Sequence, residues 1–245
     1  TWPKDRTEIR RGEYYNRDRP TPPGGFKSIY NGDGSLRRVY PHWSQMPWCV
    51  DIHERLIPID AVGFAKDMEK FKLFFLEDPL APEDIEWFRN IRQQCSTPIA
   101  MGELFNHPLE WQPLIEGRLI DFIRMHVSQM GGITPAKAVA SFAQMYGIRT
   151  AWHGPGDTSP VGHAANLHLD LWAPNFGIQE WCRFSEVCYE VFPGLPELRG
   201  GYLYPNDQPG LGIDVDEEHA AKYPCQDSVE MWTQTRLPDG SPARP

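Results

Sequence analysis

Cysteine is scarce, and what there is forms no Cys-x-x-Cys pair. The five thiols, Cys49, Cys95, Cys182, Cys188 and Cys225, are odd in number and scattered. That argues against a disulfide-stapled scaffold or a zinc ribbon and suits reduced thiols in a cytoplasmic setting. No apolar run approaches the roughly twenty residues that a membrane helix needs, so no membrane partner is expected. An apolar signal-peptide region is lacking, as is an initiator Met, and Thr1 is therefore expected not to be the biological start. Positive charge is also short. Lys and Arg number 24 against 33 Asp and Glu, a net charge of −9, which speaks against nucleic acid as a partner for the body of the chain.

The charge is uneven. Residues 1–47 hold nine basic and five acidic residues, leaving fifteen and twenty-eight for the remainder. This first segment also carries Pro20, Pro22, Pro23, Gly24 and Gly25 and no sustained periodicity. It reads as an irregular, partly disordered basic loop, solvated and not a nucleic-acid arm. Residues 48–200 carry the periodic segments, and 201–245 read as an extension lying on them.

Within the periodic region three acids arrive at equal intervals. Asp51 closes Trp48-Cys49-Val50, Glu77 closes Leu73-Phe74-Phe75-Leu76, and Glu103 closes Pro98-Ile99-Ala100-Met101-Gly102; each is 26 residues from the next. The short apolar runs read as buried strands. Helical patterns over 58–71 and 82–95 fill the gaps, which makes a βαβ series and a parallel sheet. Ligands bind such sheets at the carboxyl ends of the strands. Three carboxylates there need a counter-ion, because like charges at short range oppose one another's ionisation. A hard divalent cation, most simply Mg²⁺, answers that need. One acid alone would pass for a helix cap; three in equal register favour the metal.

The pattern continues with helices over 109–117, 134–146 and 159–171 and strands over 121–125, 149–152 and 176–179. A short helix near 216–223 is the last element expected. Six strands then end on Asp51, Glu77, Glu103, Arg124, His153 and Glu180. The fold class is α/β, a (β/α)₈ TIM-type barrel with about six of its βα units present. Exposed barrel edges in such a piece predict a longer parent or burial by partner subunits, hence a homo-oligomer. Asp78 reads as a cap before Pro79, His163 and His168 as packing or surface residues, and Trp172, Phe176 and Trp181 as core.

The motifs Asp51-Ile52-His53, Leu76-Glu77-Asp78-Pro79, Gly102-Glu103-Leu104-Phe105-Asn106 and Ile123-Arg124 before Gly131-Gly132-Ile133-Thr134 stand in this order, followed by His153-Gly154-Pro155 with Asp157, and Pro174 to Glu180. Together they resemble the enolase superfamily and, within it, the mannonate dehydratase subgroup of sugar-acid dehydratases. The resemblance implies Mg²⁺ on Asp51, Glu77 and Glu103. It implies that His53 is the general acid that protonates the departing hydroxyl. Arg124, His153, Asp157 and Glu180 would contact the carboxylate and hydroxyls of an aldonate, although an ion pair between Glu180 and Arg124 would give the same sequence. Proline at 155, where the subgroup also has alanine, goes with weak or gluconate-directed members.

Three family features have no match. No stretch of these 245 residues is expected to form the amino-terminal capping domain. The Tyr and Arg that remove the proton find no matching context among Tyr14, Tyr15, Tyr30, Tyr40, Arg10, Arg11, Arg37 and Arg38. No Trp follows Asp239-Gly240-Ser241. Two readings stand: a Mg²⁺-dependent sugar-acid dehydratase acting on mannonate or gluconate, or an idle homologue with a ligand-binding or regulatory role.

Overall fold

The computed structural model describes residues 26–30, 36–40 and 48–224. Its centre is a five-stranded parallel sheet in sequential order, β3 (Cys49–Asp51), β4 (Phe75–Glu77), β5 (Ile99–Met101), β6 (Phe122–Ile123) and β7 (Arg149–Thr150). Helices α1 (Pro58–Met68), α2 (Ile85–Gln94), α3 (Pro108–Glu116) and α4 (Ile133–Met145) provide the crossovers, and α5 (Pro160–Trp172) follows β7. Strand, helix and parallel strand in strict alternation is the winding of a TIM-type barrel. The expected sixth strand is reduced to a single parallel bridge between Thr150 and Phe176. Gly177 permits that approach, since a Cβ there would stand 2.7 Å from the Thr150 carbonyl oxygen.

Alternation along the strands sorts the core into two layers. Phe75, Ala100, Phe122 and Ala151 form the inner cluster. Leu76, Ile99, Met101, Ile123 and Trp152 face the helices in the larger outer core. The ladder runs past the formal strand ends, with the Arg124 N–H donating to Met101 O at 2.9 Å and the His153 N–H to Met125 O at 3.2 Å. These bonds place both residues at the carboxyl rim.

The helices begin where the sequence marks them. Pro58, Pro108 and Pro160 occupy first-turn positions, where a missing N–H costs nothing. His107 and Glu110 form a capping box on α3, and Ser159 caps α5 by accepting from the Gly162 N–H at 3.1 Å. In α1 the inward face is set by Ala61 and Ala65, so Ile59, expected inside, is 77% exposed. Trp172, expected in the core, is exposed beneath the Lys137 ammonium, 4.7 Å from its ring centre.

The segment read as irregular contains an antiparallel pair, β1 (Phe26–Tyr30) and β2 (Leu36–Tyr40). Asn31-Gly32-Asp33-Gly34 between them has hairpin-turn composition that polar content masked. Beyond the barrel units lie α6 (Glu186–Val191), a hairpin of β8 (Glu197–Arg199) and β9 (Tyr202–Tyr204), and α7 (Glu217–Ala220). Only α7 was expected. The carboxyl-terminal stretch 225–245, including the place where the family's Trp was sought, lies outside the described residues, as do Tyr14, Tyr15, Arg10 and Arg11. No described helix is long and apolar enough to cross a membrane.

Candidate metal and substrate site

Asp51 and Glu77 are register partners at the ends of β3 and β4, and Glu103 follows β5 after Gly102. Gly102 holds φ +138, and a Cβ on it would stand 3.1 Å from Phe105 Cδ2 and 3.3 Å from the Arg124 nitrogen. Only glycine suits that turn, which swings Glu103 to the rim.

Each acid has a histidine or arginine neighbour. His53 Nδ1 lies 3.4 Å from Asp51 Oδ2 and 3.2 Å from Glu103 Oε1. His153 Nε2 lies 3.1 Å from Glu103 Oε2. Arg124 donates through Nε to Glu77 Oε1, through Nη2 to Glu180 Oε2 at 2.8 Å, and through Nη1 to Ala151 O at 3.3 Å. With its side chain only 4% exposed, Arg124 is a clamp between two carboxylates. Its guanidinium is thus engaged by Glu77, Glu180 and the Ala151 carbonyl, the carboxylate pairing being the other reading its place allowed.

Glu180 is held twice, by Arg124 and by the Gly154 N–H at 2.8 Å. A Cβ on Gly154 would stand 2.5 Å from the Glu180 carbonyl oxygen, so the two segments meet only because residue 154 is glycine. His153 and Glu180 thus come to one rim with the acids. Asp157 sits exposed on the adjoining turn. It does not cap α5, since Ser159 does.

Burial pushes the Glu77 carboxyl up to about 7, against the pull of Arg124 and with help from Asp51, Glu180 and Glu103. Burial also opposes ionisation of Glu103, but the hydrogen bond and charge of His153, with His53 and Arg124, outweigh it and hold that carboxyl below its usual range. Burial is the largest influence on Glu180 too; Arg124 and the Gly154 N–H reverse it and hold Glu180 low.

Sequence reasoning missed two acids. Asp78, expected to cap a turn, is fully buried and accepts from the Gly102 N–H at 3.2 Å. Glu54 is buried beside it, its N–H donating to Asp78 O at 2.7 Å. Among the described residues, the one group of three ligating side chains with atoms all within 4.8 Å is Glu54, Asp78 and Glu103. The expected trio is not gathered that tightly, because Glu77 is turned to Arg124 while Asp51 and Glu103 share His53. Positive φ at His53 (55°), Glu54 (59°) and Asp78 (37°) brings these acids inward. Such strain in non-glycine residues clusters at ligand sites. His126 was also missed, although its place two residues past Arg124 on the same alternation signals it. His163, read as packing, is fully buried against Trp181 and Phe184, with ring centres at 4.8 and 5.1 Å.

The donor set fits a hard divalent ion: every candidate ligand offers carboxylate oxygen, and the acids outnumber the cations beside them. Asp78 Oδ2, buried and without a hydrogen-bond partner among the described residues, adds to that surplus.

A D-galactonate dehydratase family member of Salmonella virchow is 58% identical over 195 residues, which are 80% of this chain and 47% of its own length. Another, from Enterococcus gallinarum, is 50% identical over 244 residues, 99% of this chain and 58% of its own. The crystal structure of an enolase from Pantoea ananatis with bound D-gluconate and Mg is similar at TM-score 0.79 and 56% identity, over 82% of this chain and 48% of that one. The chain therefore spans about half the length of the relatives it matches. Their names carry the galactonate dehydratase family, where the motifs had suggested the mannonate subgroup. Residues 36–219 match the family described as Enolase C-terminal domain-like. With parallel βα units, acids at successive strand ends and this match over most of its length, the chain belongs to the enolase C-terminal domain-like family.

Proposed function

We propose that the protein of which this chain forms part is a Mg²⁺-dependent sugar-acid dehydratase that converts an aldonate to its 2-keto-3-deoxy acid by loss of water. The observation that carries this reading is the placing of Asp51, Glu77 and Glu103 at the carboxyl ends of three adjacent parallel strands, with His53 between two of them. Those three acids would hold the ion. When bound, it supplies positive charge that eases loss of the weakly acidic proton next to the substrate carboxylate.

The remaining chemistry belongs to side chains. His53 Nδ1 is set between carboxylate oxygens at 3.2 and 3.4 Å. That leaves Nε2 as the ring nitrogen from which a proton would pass to the departing β-hydroxyl. The main-chain N–H of His53 donates to Asp51 Oδ1 at 2.7 Å, which fixes the ring's place beside that acid. Glu180, anchored by Arg124 and Gly154, and His153, anchored on Glu103, offer hydrogen bonds to substrate oxygens, with Asp157 at the outer edge. Proline at 155, which goes with weak or gluconate-directed members of the subgroup the chain resembles, makes gluconate the first acid to test.

Incubating the protein with Mg²⁺ and D-gluconate, D-galactonate or D-mannonate, and assaying 2-keto-3-deoxy acid, tests this. Product from gluconate, abolished by His53→Asn in a variant that stays folded, is the expected result. Ion binding by calorimetry without product from any acid would point instead to a ligand-binding homologue, and absence of divalent-ion binding would end the reading.

A further inference from the structure

We propose that His126 is a positioning residue: it fixes the turn from Gly154 to Thr158 and so sets the place of His153 and Asp157 at the rim. The inference rests on the dehydratase reading for its functional consequence, though not for its geometry.

His126 lies two residues beyond Arg124, on the interior alternation of β6. Both ring nitrogens have hydroxyl partners. Nδ1 is 2.8 Å from Ser128 Oγ, and Nε2 is 3.1 Å from Thr158 Oγ1. The ring meets His153 edge-on, with centres 5.4 Å apart at 61°. Thr158 is 5% exposed, and its N–H donates to Pro155 O at 3.1 Å, closing the turn that carries Gly156 and Asp157.

The link from His126 to Thr158 therefore joins the end of β6 to the far side of that turn. From the other side, His163 Nε2 lies 3.3 Å from Pro155 O, and Gly154 is tied to Glu180. In the neutral ring one nitrogen donates to its hydroxyl partner and the other accepts, since a hydroxyl can do either. Burial, and then the neighbouring His153, hold His126 below the usual imidazole range, in keeping with that form.

Of these ties, the one through His126 runs from the end of β6 to the far side of the turn. Its loss leaves the metal ligands in place but frees the turn, so substrate affinity changes while ion affinity does not.

The nitrogens can be separated by substitution. His126→Phe keeps the ring and removes both links. Gln sets an amide near the Nε2 position, and Asn near Nδ1. For the protein with Mg²⁺ and D-gluconate, the expected result for His126→Phe is a KM raised about tenfold, the size of one lost hydrogen bond to a buried hydroxyl. Mg²⁺ affinity by calorimetry should stay unchanged, and amide exchange over 154–158 should quicken. Thr158→Val should give the same changes, the double variant should be no worse than either alone, and His126→Gln should recover what His126→Asn does not.

Wild-type KM and exchange in His126→Phe, equal rescue by Asn and Gln, or additive losses in the double variant would overturn the proposal. Should His126→Phe fail to fold, Thr158→Val carries the same readouts. Should the wild-type protein bind Mg²⁺ but turn over no aldonate, the dehydratase reading fails, while exchange over 154–158 in the variants still decides the positioning role.

Discussion

Gly154 shows how much of the rim depends on an atom that is not there. Its N–H serves Glu180, and its bare Cα lets the Glu180 backbone come close, with His163 Cε1 only 2.9 Å from where a Cβ would sit. Gly154→Ala is expected to lower stability by about 1–3 kcal/mol, the usual cost of forcing a methyl group into filled space. It should also weaken gluconate binding, because Glu180 loses its backbone anchor. Thermal melts and calorimetry on the same preparation check both effects, and an unchanged melting temperature would show the two segments to be looser than their contacts imply. Arg124 carries the companion lesson. From sequence its place at a strand end favours substrate over a carboxylate partner, and nothing in its neighbours on the chain shows which carboxylates lie beside it. Its partners come from across the strands, Glu77 from β4 and Glu180, 56 positions downstream.

At the scale of elements, helix α5 brings a titratable group inside. His163 is fully buried between Trp181, Phe184 and Pro155 O. Burial holds its ring below the usual imidazole range in spite of the Pro155 carbonyl. The unfolded chain then takes up the proton first as pH falls. Stability from the neutral ring is full above the ordinary imidazole value of roughly 6.5 and is lost as pH falls below it. The melting temperature is therefore expected to fall between pH 7 and pH 5, and His163→Phe should flatten that part of the profile. An identical slope in the variant would assign the loss to other groups.

The strands and most helix starts were legible because local rules decide them: short apolar runs, proline in first turns, Ser159 as a cap. Helix faces and partner choices were less so. Ile59 is apolar, yet Ala61 and Ala65 set the buried face of α1 and leave it exposed on the far side. Glu54 and Asp78 are drawn inside by positive φ at His53, Glu54 and Asp78, for which neighbouring residues give no signal.

For the molecule as a whole, the proposed ion is a tie across strands. Asp51, Glu77 and Glu103 come from three successive βα units, so an ion held by them favours the folded state by mass action. Adding Mg²⁺ at a hundred times its dissociation constant is expected to stabilise the protein by about 2.7 kcal/mol, read as a raised melting temperature that EDTA reverses. Because burial puts the Glu77 carboxyl at about 7, protons compete for that ligand below neutrality. The Mg²⁺-dependent shift should shrink between pH 8 and pH 6. Calorimetric titrations at the two pH values check the same point, and equal affinities would remove Glu77 from the ligand set.

The adjacency of Glu77 and Asp78 has one more consequence. Glu77 ends the pleated run on the inner alternation of Phe75, and Asp78 follows it at φ 37°, buried beside Glu54 and Glu103. Deleting a single residue between Lys72 and Phe74 would put Asp78 in the place of Glu77 and Glu77 in that of Leu76, because a pleated segment has only two faces. The chemical role of a position is then set by parity, and a frame of odd or even length decides which carboxylate meets the ligand. Substitution adjusts such a site by degrees, whereas one inserted or deleted codon would turn it inside out.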